Sequence, residues 1–77
     1  MPEFKHEIVE ELGVISQSGT WQRELNLVSW SDRPPKYDIR DWGPDHKSMG
    51  KGITLTKEQV RALRDILDKL DLDGDDD

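Results

Sequence analysis

Apolar residues recur at an interval of two through the middle of the chain and at three and four near its end. In WQRELNLVSW, residues 21–30, Trp21, Arg23, Leu25, Leu27 and Ser29 share one face, and Gln22, Glu24, Asn26, Val28 and Trp30 share the other. Alternation with two aromatics and a β-branched valine predicts a strand. Ser31-Asp32-Arg33-Pro34-Pro35 ends it, because proline cannot donate to a central ladder. In KYDIRDW, residues 36–42, Tyr37 and Ile39 point one way with Asp41, while Lys36, Asp38, Arg40 and Trp42 point the other. This predicts a strand with one apolar side and one side of cations and an aromatic ring. Gly43-Pro44-Asp45-His46 opens a loop that runs to about Gly50, and a short strand, Gly52-Ile53-Thr54-Leu55, follows.

The last periodic segment has a different rhythm. Val60, Leu63, Leu67 and Leu70 recur at three, four and three, with Ile66 beside them, as on one face of a helix. Thr56 stands where an N-cap belongs, and Gln59 three places on completes a capping box. A helix is expected from Lys57 to about Leu70. The first segment, KHEIVEELGVIS at residues 5–16, fits two templates. As a helix it has the stripe Ile8, Leu12 and Ile15. As a strand it puts Phe4, His6, Ile8, Leu12 and Val14 on one face, interrupted by Glu10, with Val9 and Ile15 on the other. Gly13 and the β-prone LGVIS weigh against a helix, but the pattern leaves both open. The order is therefore β-β-β-β-α with the first element undecided, an α+β fold with an antiparallel sheet. One helix covers such a sheet poorly, so the Val60/Leu63/Leu67/Leu70 seam is expected to pack against a second copy, giving a homodimer.

Size makes the same demand. Seventy-seven residues make one small domain, and a chain this short needs a staple, a metal or a partner. Cysteine is absent, which removes disulfides and thiolate sites. His6 and His46 lack metal-ligand spacing, so no metal or other cofactor is expected. Residues 1–70 are expected to form the domain and residues 71–77 a disordered acidic tail. No stretch approaches the length of a membrane span. The N-terminal MPEFKHEIVEEL is charged where an export signal needs an apolar run, so the expected location is the cytoplasm.

The net charge of −6 argues against a nucleic-acid partner until its distribution is considered. Residues 68–77 hold six acids and one lysine, and so carry −5 of it. Residues 20–57 hold seven Lys/Arg against five Asp/Glu, a mildly basic middle whose local potential decides what it binds. There Arg23 shares a face with Trp21, and Lys36 and Arg40 share one with Trp42. Single-stranded nucleic acid calls for this mixture, cations for phosphates and flat rings for bases. The plainer reading is that these side chains pack and solvate the sheet. The loop of residues 43–52 carries His46, Lys47 and Lys51 among glycines that let a backbone approach a phosphate, although it lacks P-loop spacing and reads equally as a hairpin connection. No nucleophile elbow, cofactor motif or acid–base pair points to an enzyme. The tail DLDGDDD has the carboxylates of a calcium loop but neither its glycine spacing nor its closing glutamate.

Taken in order, YDIRDW, a loop and MGKGITLTKEQVRAL resemble the Positive Cofactor Four transcriptional coactivator family. EIVEELGVIS, WQRELNLVSW and WSDRPPKYDIRDW look like its bacterial YdbC-like branch. The resemblance spans about residues 5–68. It implies four antiparallel strands and one helix assembled as a homodimer, and hence a strand for the first segment. It implies single-stranded DNA binding with little sequence preference and no catalysis, in support of transcription, replication or repair. By the same resemblance Arg40, Trp42, Lys51 and Gly52 fall on the family's motif, with Lys36 in register beside Arg40. The nucleic-acid-binding set is then Trp21, Arg23, Trp30, Lys36, Tyr37, Arg40, Trp42, Lys47, Lys51 and Gly52. RNA binding and a protein-interaction role are the alternatives.

Overall fold

In the computed structural model, which describes residues 5–73, four strands precede one helix. They are β1 (His6–Ser18), β2 (Trp21–Trp30), β3 (Lys36–Trp42), β4 (Met49–Leu55) and α1 (Lys57–Asp68). The strands form one antiparallel sheet in chain order, β1-β2-β3-β4. The first segment is a strand, and β4 begins three residues before the expected Gly52. Part of the expected acidic tail, residues 74–77, and Phe4 on the first strand lie outside the described residues.

Turn chemistry sets the register of both central hairpins. Gly19 has φ 62° between β1 and β2, a conformation that costs glycine nothing. Between β2 and β3, Ser31 and Asp32 both have positive φ (52° and 63°), and the Arg33 N–H donates to the Trp30 carbonyl at 2.9 Å. This is a two-residue turn of the kind whose twist matches a hairpin. Pro34 and Pro35 follow before pairing resumes at Val28 and Lys36.

β1 departs from simple alternation at three places. Its register with β2 slips between Ile8 and Glu10, between Glu11 and Gly13, and between Val14 and Ser16. Each bulge leaves one extra residue, Val9, Leu12 and Ile15, and adds local twist. The backbone N–H of bulged Leu12 donates to Asn26 Oδ1 at 3.3 Å.

The two faces of the sheet differ in kind. One face gathers Glu24, Asn26 and Val28 from β2 with Asp38, Arg40 and Trp42 from β3. Glu24, Asn26, Val28, Asp38 and Trp42 are all buried. Among the described residues Val28 and Trp42 alone form the buried apolar core. The other face presents Leu25, Leu27, Tyr37, Ile39, Ile53 and Leu55, and α1 rests on it over β3 and β4.

α1 begins as expected. The Gln59 N–H donates to Thr56 Oγ1 at 3.1 Å, and the Thr56 N–H donates to Gln59 Oε1 at 2.8 Å. It ends at Asp68, two residues before the expected Leu70, because the last turn tightens through bonds from Lys69 and Leu70 to the Ile66 and Leu67 carbonyls. No α1 residue is buried. Val60 is half-buried beside Tyr37, whereas Leu63, Ile66, Leu67 and Leu70 are exposed. No helix among the described residues is long and apolar enough to cross a membrane.

Candidate nucleic-acid interface

A row of rings lies on the polar face. The Arg40 guanidinium lies over the Trp30 ring, 4.8 Å from its centroid. His6 sits 6.0 Å from Trp30 and 5.2 Å from Trp42, and His46 sits 5.6 Å from Trp42. The row draws on three strands and the loop after β3. His6 reaches Trp30 because the two are register partners across β1 and β2. His46 reaches Trp42 through the short 3₁₀ turn of Pro44–His46, held by the Gly43 N–H to the Ser48 carbonyl at 2.8 Å.

A partly buried polar network adjoins the row, with Glu24, Asn26 and Asp38 as its buried members. Arg40 donates through Nε to Asp38 Oδ1 at 2.7 Å and through Nη2 to Asp38 Oδ2 at 2.9 Å. Its Nη1 donates to the Gly50 carbonyl at 3.2 Å, and Thr54 Oγ1 donates to Asp38 Oδ2 at 3.1 Å. On β2, Asn26 Nδ2 donates to Glu24 Oε1 at 2.9 Å. The two Glu24 oxygens lie 2.9 and 3.1 Å from His46 Nε2. Asn26 thus links bulged β1 to Glu24, and Glu24 holds the loop histidine against Trp42.

The ten expected binding residues are divided by this geometry. Trp30, Lys36, Arg40 and Trp42 share the polar face. Trp42, expected to stack bases, is 1% exposed and offers no open ring surface in this conformation. It is the wall against which His6 and His46 lie. Arg40 has its fork occupied by Asp38 and Gly50. Gly52 pairs with Arg40 across the strands, and its missing side chain leaves room for Arg40's own Cβ. Tyr37, Trp21 and Arg23 alternate onto the opposite face. Lys36, Lys47 and Lys51 are exposed and make no ion pair among the described residues.

Arg23 is paired as well. Its Nε and Nη2 donate to Asp41 Oδ1 and Oδ2 at 2.8 and 3.2 Å. That hydrogen bonding holds the Asp41 carboxyl below the usual range, against a smaller opposing effect of burial, and raises Arg23. A depressed carboxyl contributes stability above its unfolded value, about 3.9, and loses it as pH falls through the lower folded value. Asp41→Asn is therefore expected to melt slightly below the parent at neutral pH. The two melting curves should converge in acid, and added salt should narrow the gap because the pair is largely exposed.

Glu24, Asn26, Asp38, His6 and His46 also stand in the site, outside the ten binding residues expected from the sequence. Alternation did place Glu24 and Asn26 on the face of Val28 and Trp30, but polar residues on a sheet face ordinarily mean solvent. Among the described residues no cluster of histidine and carboxylate side chains is placed to hold a metal ion.

Similarity to known proteins agrees with this architecture. An uncharacterized protein of Treponema pallidum (strain Nichols) is 49% identical over 72 residues, covering 92% of this chain and 85% of its own length. Residues 18–66, from the first turn through most of α1, match the family described as Transcriptional Coactivator p15 (PC4), a nucleic-acid-binding and non-catalytic family. The matched stretch takes in β2, β3, β4 and the capping box, and spans well over half of the chain, which therefore belongs to the Transcriptional Coactivator p15 (PC4) family.

Proposed function

We propose that this protein binds single-stranded DNA without catalysis and with little sequence preference, as a cytoplasmic homodimer that supports transcription, replication or repair. The observation that carries this reading is the ring row, in which Arg40 covers Trp30 and His6 adjoins it. Trp30 and the exposed Trp21 supply stacking surfaces, and Lys36, Lys47 and Lys51 supply charge for phosphates. Arg40 acts as a positioning residue that fixes the Trp30 ring. Trp42 anchors the row from within.

What the chain leaves uncovered supports the dimer. The two apolar side chains buried among the described residues are too few to stabilise a domain. Ile53, Leu63, Ile66, Leu67 and Leu70 meanwhile stay exposed on the helix side, and a second copy offers the same apolar surface to cover them.

The test is a titration with oligo-dT, following tryptophan fluorescence at low and moderate salt. Saturable quenching near one strand per dimer is expected, weakening with salt and poor with a duplex of equal length. Trp30→Ala should lose about 1–3 kcal/mol, the usual worth of one stacked base. Absence of quenching and of any retardation of oligo-dT at low salt would overturn the reading. An RNA strand of the same length run beside it reports the preference between polymers, which only contacts to the 2′-hydroxyl would create.

A further inference from the structure

Away from the ring row, a groove of about 250 Å³ opens between α1 and β3, lined by Tyr37, Lys57, Val60, Arg61 and Arg64. Its cations come from one stripe of the helix. Lys57 and Arg61 are four apart and Arg61 and Arg64 three apart, so they rise along the axis by about 6 and about 4.5 Å. Like charges at these spacings repel and weaken a helix, so the stripe does nothing for α1 itself.

The helix offers these arginines partners that they do not take. Arg61 has Glu58 three residues before it and Asp65 four after it, and Arg64 has Asp68 four after it. Each spacing suits a helical ion pair. Among the described residues neither arginine forms one, nor does Lys57, and all three residues line the groove. Tyr37, from β3, lines the same groove. Three unpaired cations beside an aromatic ring, in a chain of net charge −6, are suited to phosphates with a base at the ring.

We propose that the Tyr37–Lys57–Arg61–Arg64 groove holds the phosphate backbone of single-stranded nucleic acid, as a second contact surface on the sheet face opposite the Trp30 row. This rests on the single-strand reading above and adds to it a route for the strand across α1. The tyrosine favours a nucleic acid over an acidic peptide, which would leave the ring without a role.

The experiment compares the slope of log K against log salt for a long oligo-dT. Arg61→Ala/Arg64→Ala removes two phosphate partners, and the slope should become shallower by about 1.4 for each protomer engaged. Arg33→Ala/Lys69→Ala removes the same charge outside the groove and should move the slope clearly less. Both pairs sit at exposed positions, and matching melting temperatures exclude misfolding. Equal shifts in the two double variants would overturn the groove proposal, because the effect would then be one of overall charge. So would an unchanged slope in Arg61→Ala/Arg64→Ala, or poly-aspartate bound in an Arg61- and Arg64-dependent way while oligo-dT was not. A parent protein that binds no oligo-dT would remove the single-strand reading itself and the groove with it. A parent that binds normally beside an insensitive groove variant would remove only the groove.

Discussion

Gly52→Ala is expected to destabilise the fold by about 3 kcal/mol, the upper part of the range for forcing extra volume into a packed site. A Cβ at residue 52 would run into the Arg40 Cβ and the Ile39 carbonyl oxygen, and would lie 2.8 Å from the Arg40 Cα. These are backbone and near-backbone atoms, so no rotamer change relieves the clash and β3 must separate from β4. With a urea m-value of about 1 kcal/mol/M, the denaturation midpoint should fall by about 3 M. Gly50→Ala is the control. Its Cβ would meet Asp41 Cβ at 3.4 Å, an ordinary contact, and its midpoint should barely move. Equal midpoints for parent and Gly52→Ala would show that the strands have room there. The comparison also separates two meanings of one glycine. A glycine kept open for a phosphate would lose binding with stability intact, whereas this one should lose stability first.

Gly52 also marks the kind of information that pattern carries poorly. Its neighbours Ile53, Thr54 and Leu55 are legible as a strand, and the turn residues and the Thr56/Gln59 capping box are legible because each acts within a few residues of itself. β1 was ambiguous for a physical reason. Bulges at Val9, Leu12 and Ile15 recur every three residues, and each resets the face on which the next side chain falls. An interval of three is also part of a helical pattern, so a coiled strand and an amphipathic helix share the positions Leu12 and Ile15. Family resemblance resolved what periodicity left open. The site was half legible. Alternation correctly grouped Lys36, Arg40 and Trp42 apart from Tyr37, yet it carries no distances. Alternation puts Asp38 and Arg40 on one face, but it does not tell that the guanidinium closes on that carboxylate at 2.7 Å instead of facing water. His46 joined the site through a turn with left-handed residues at Asp45 and His46, which no alternation describes.

Arg40→Ala is expected to cost about 3–5 kcal/mol, because it leaves a buried carboxylate without its cation. Asp38 is fully buried, and the Arg40 side chain is only 15% exposed. With Arg40 gone, the carboxylate keeps only the Thr54 hydroxyl of its side-chain partners. A small domain does not hold much more stability than that, so the denaturation series belongs in sulfate or a protecting osmolyte. Asp38→Val/Arg40→Met should recover much of the loss, since an apolar pair of similar bulk needs no compensation for lost hydration. A double-mutant cycle then isolates the coupling between the two residues. DNA binding by folded Arg40→Ala should weaken, because the Trp30 ring loses the guanidinium that lies over it. The salt slope should stay the same, because Nε, Nη1 and Nη2 already have protein partners. A slope shallower by about 0.7 would instead assign Arg40 a phosphate of its own. Stability and slope together therefore distinguish a cation that builds the platform from one that meets the strand.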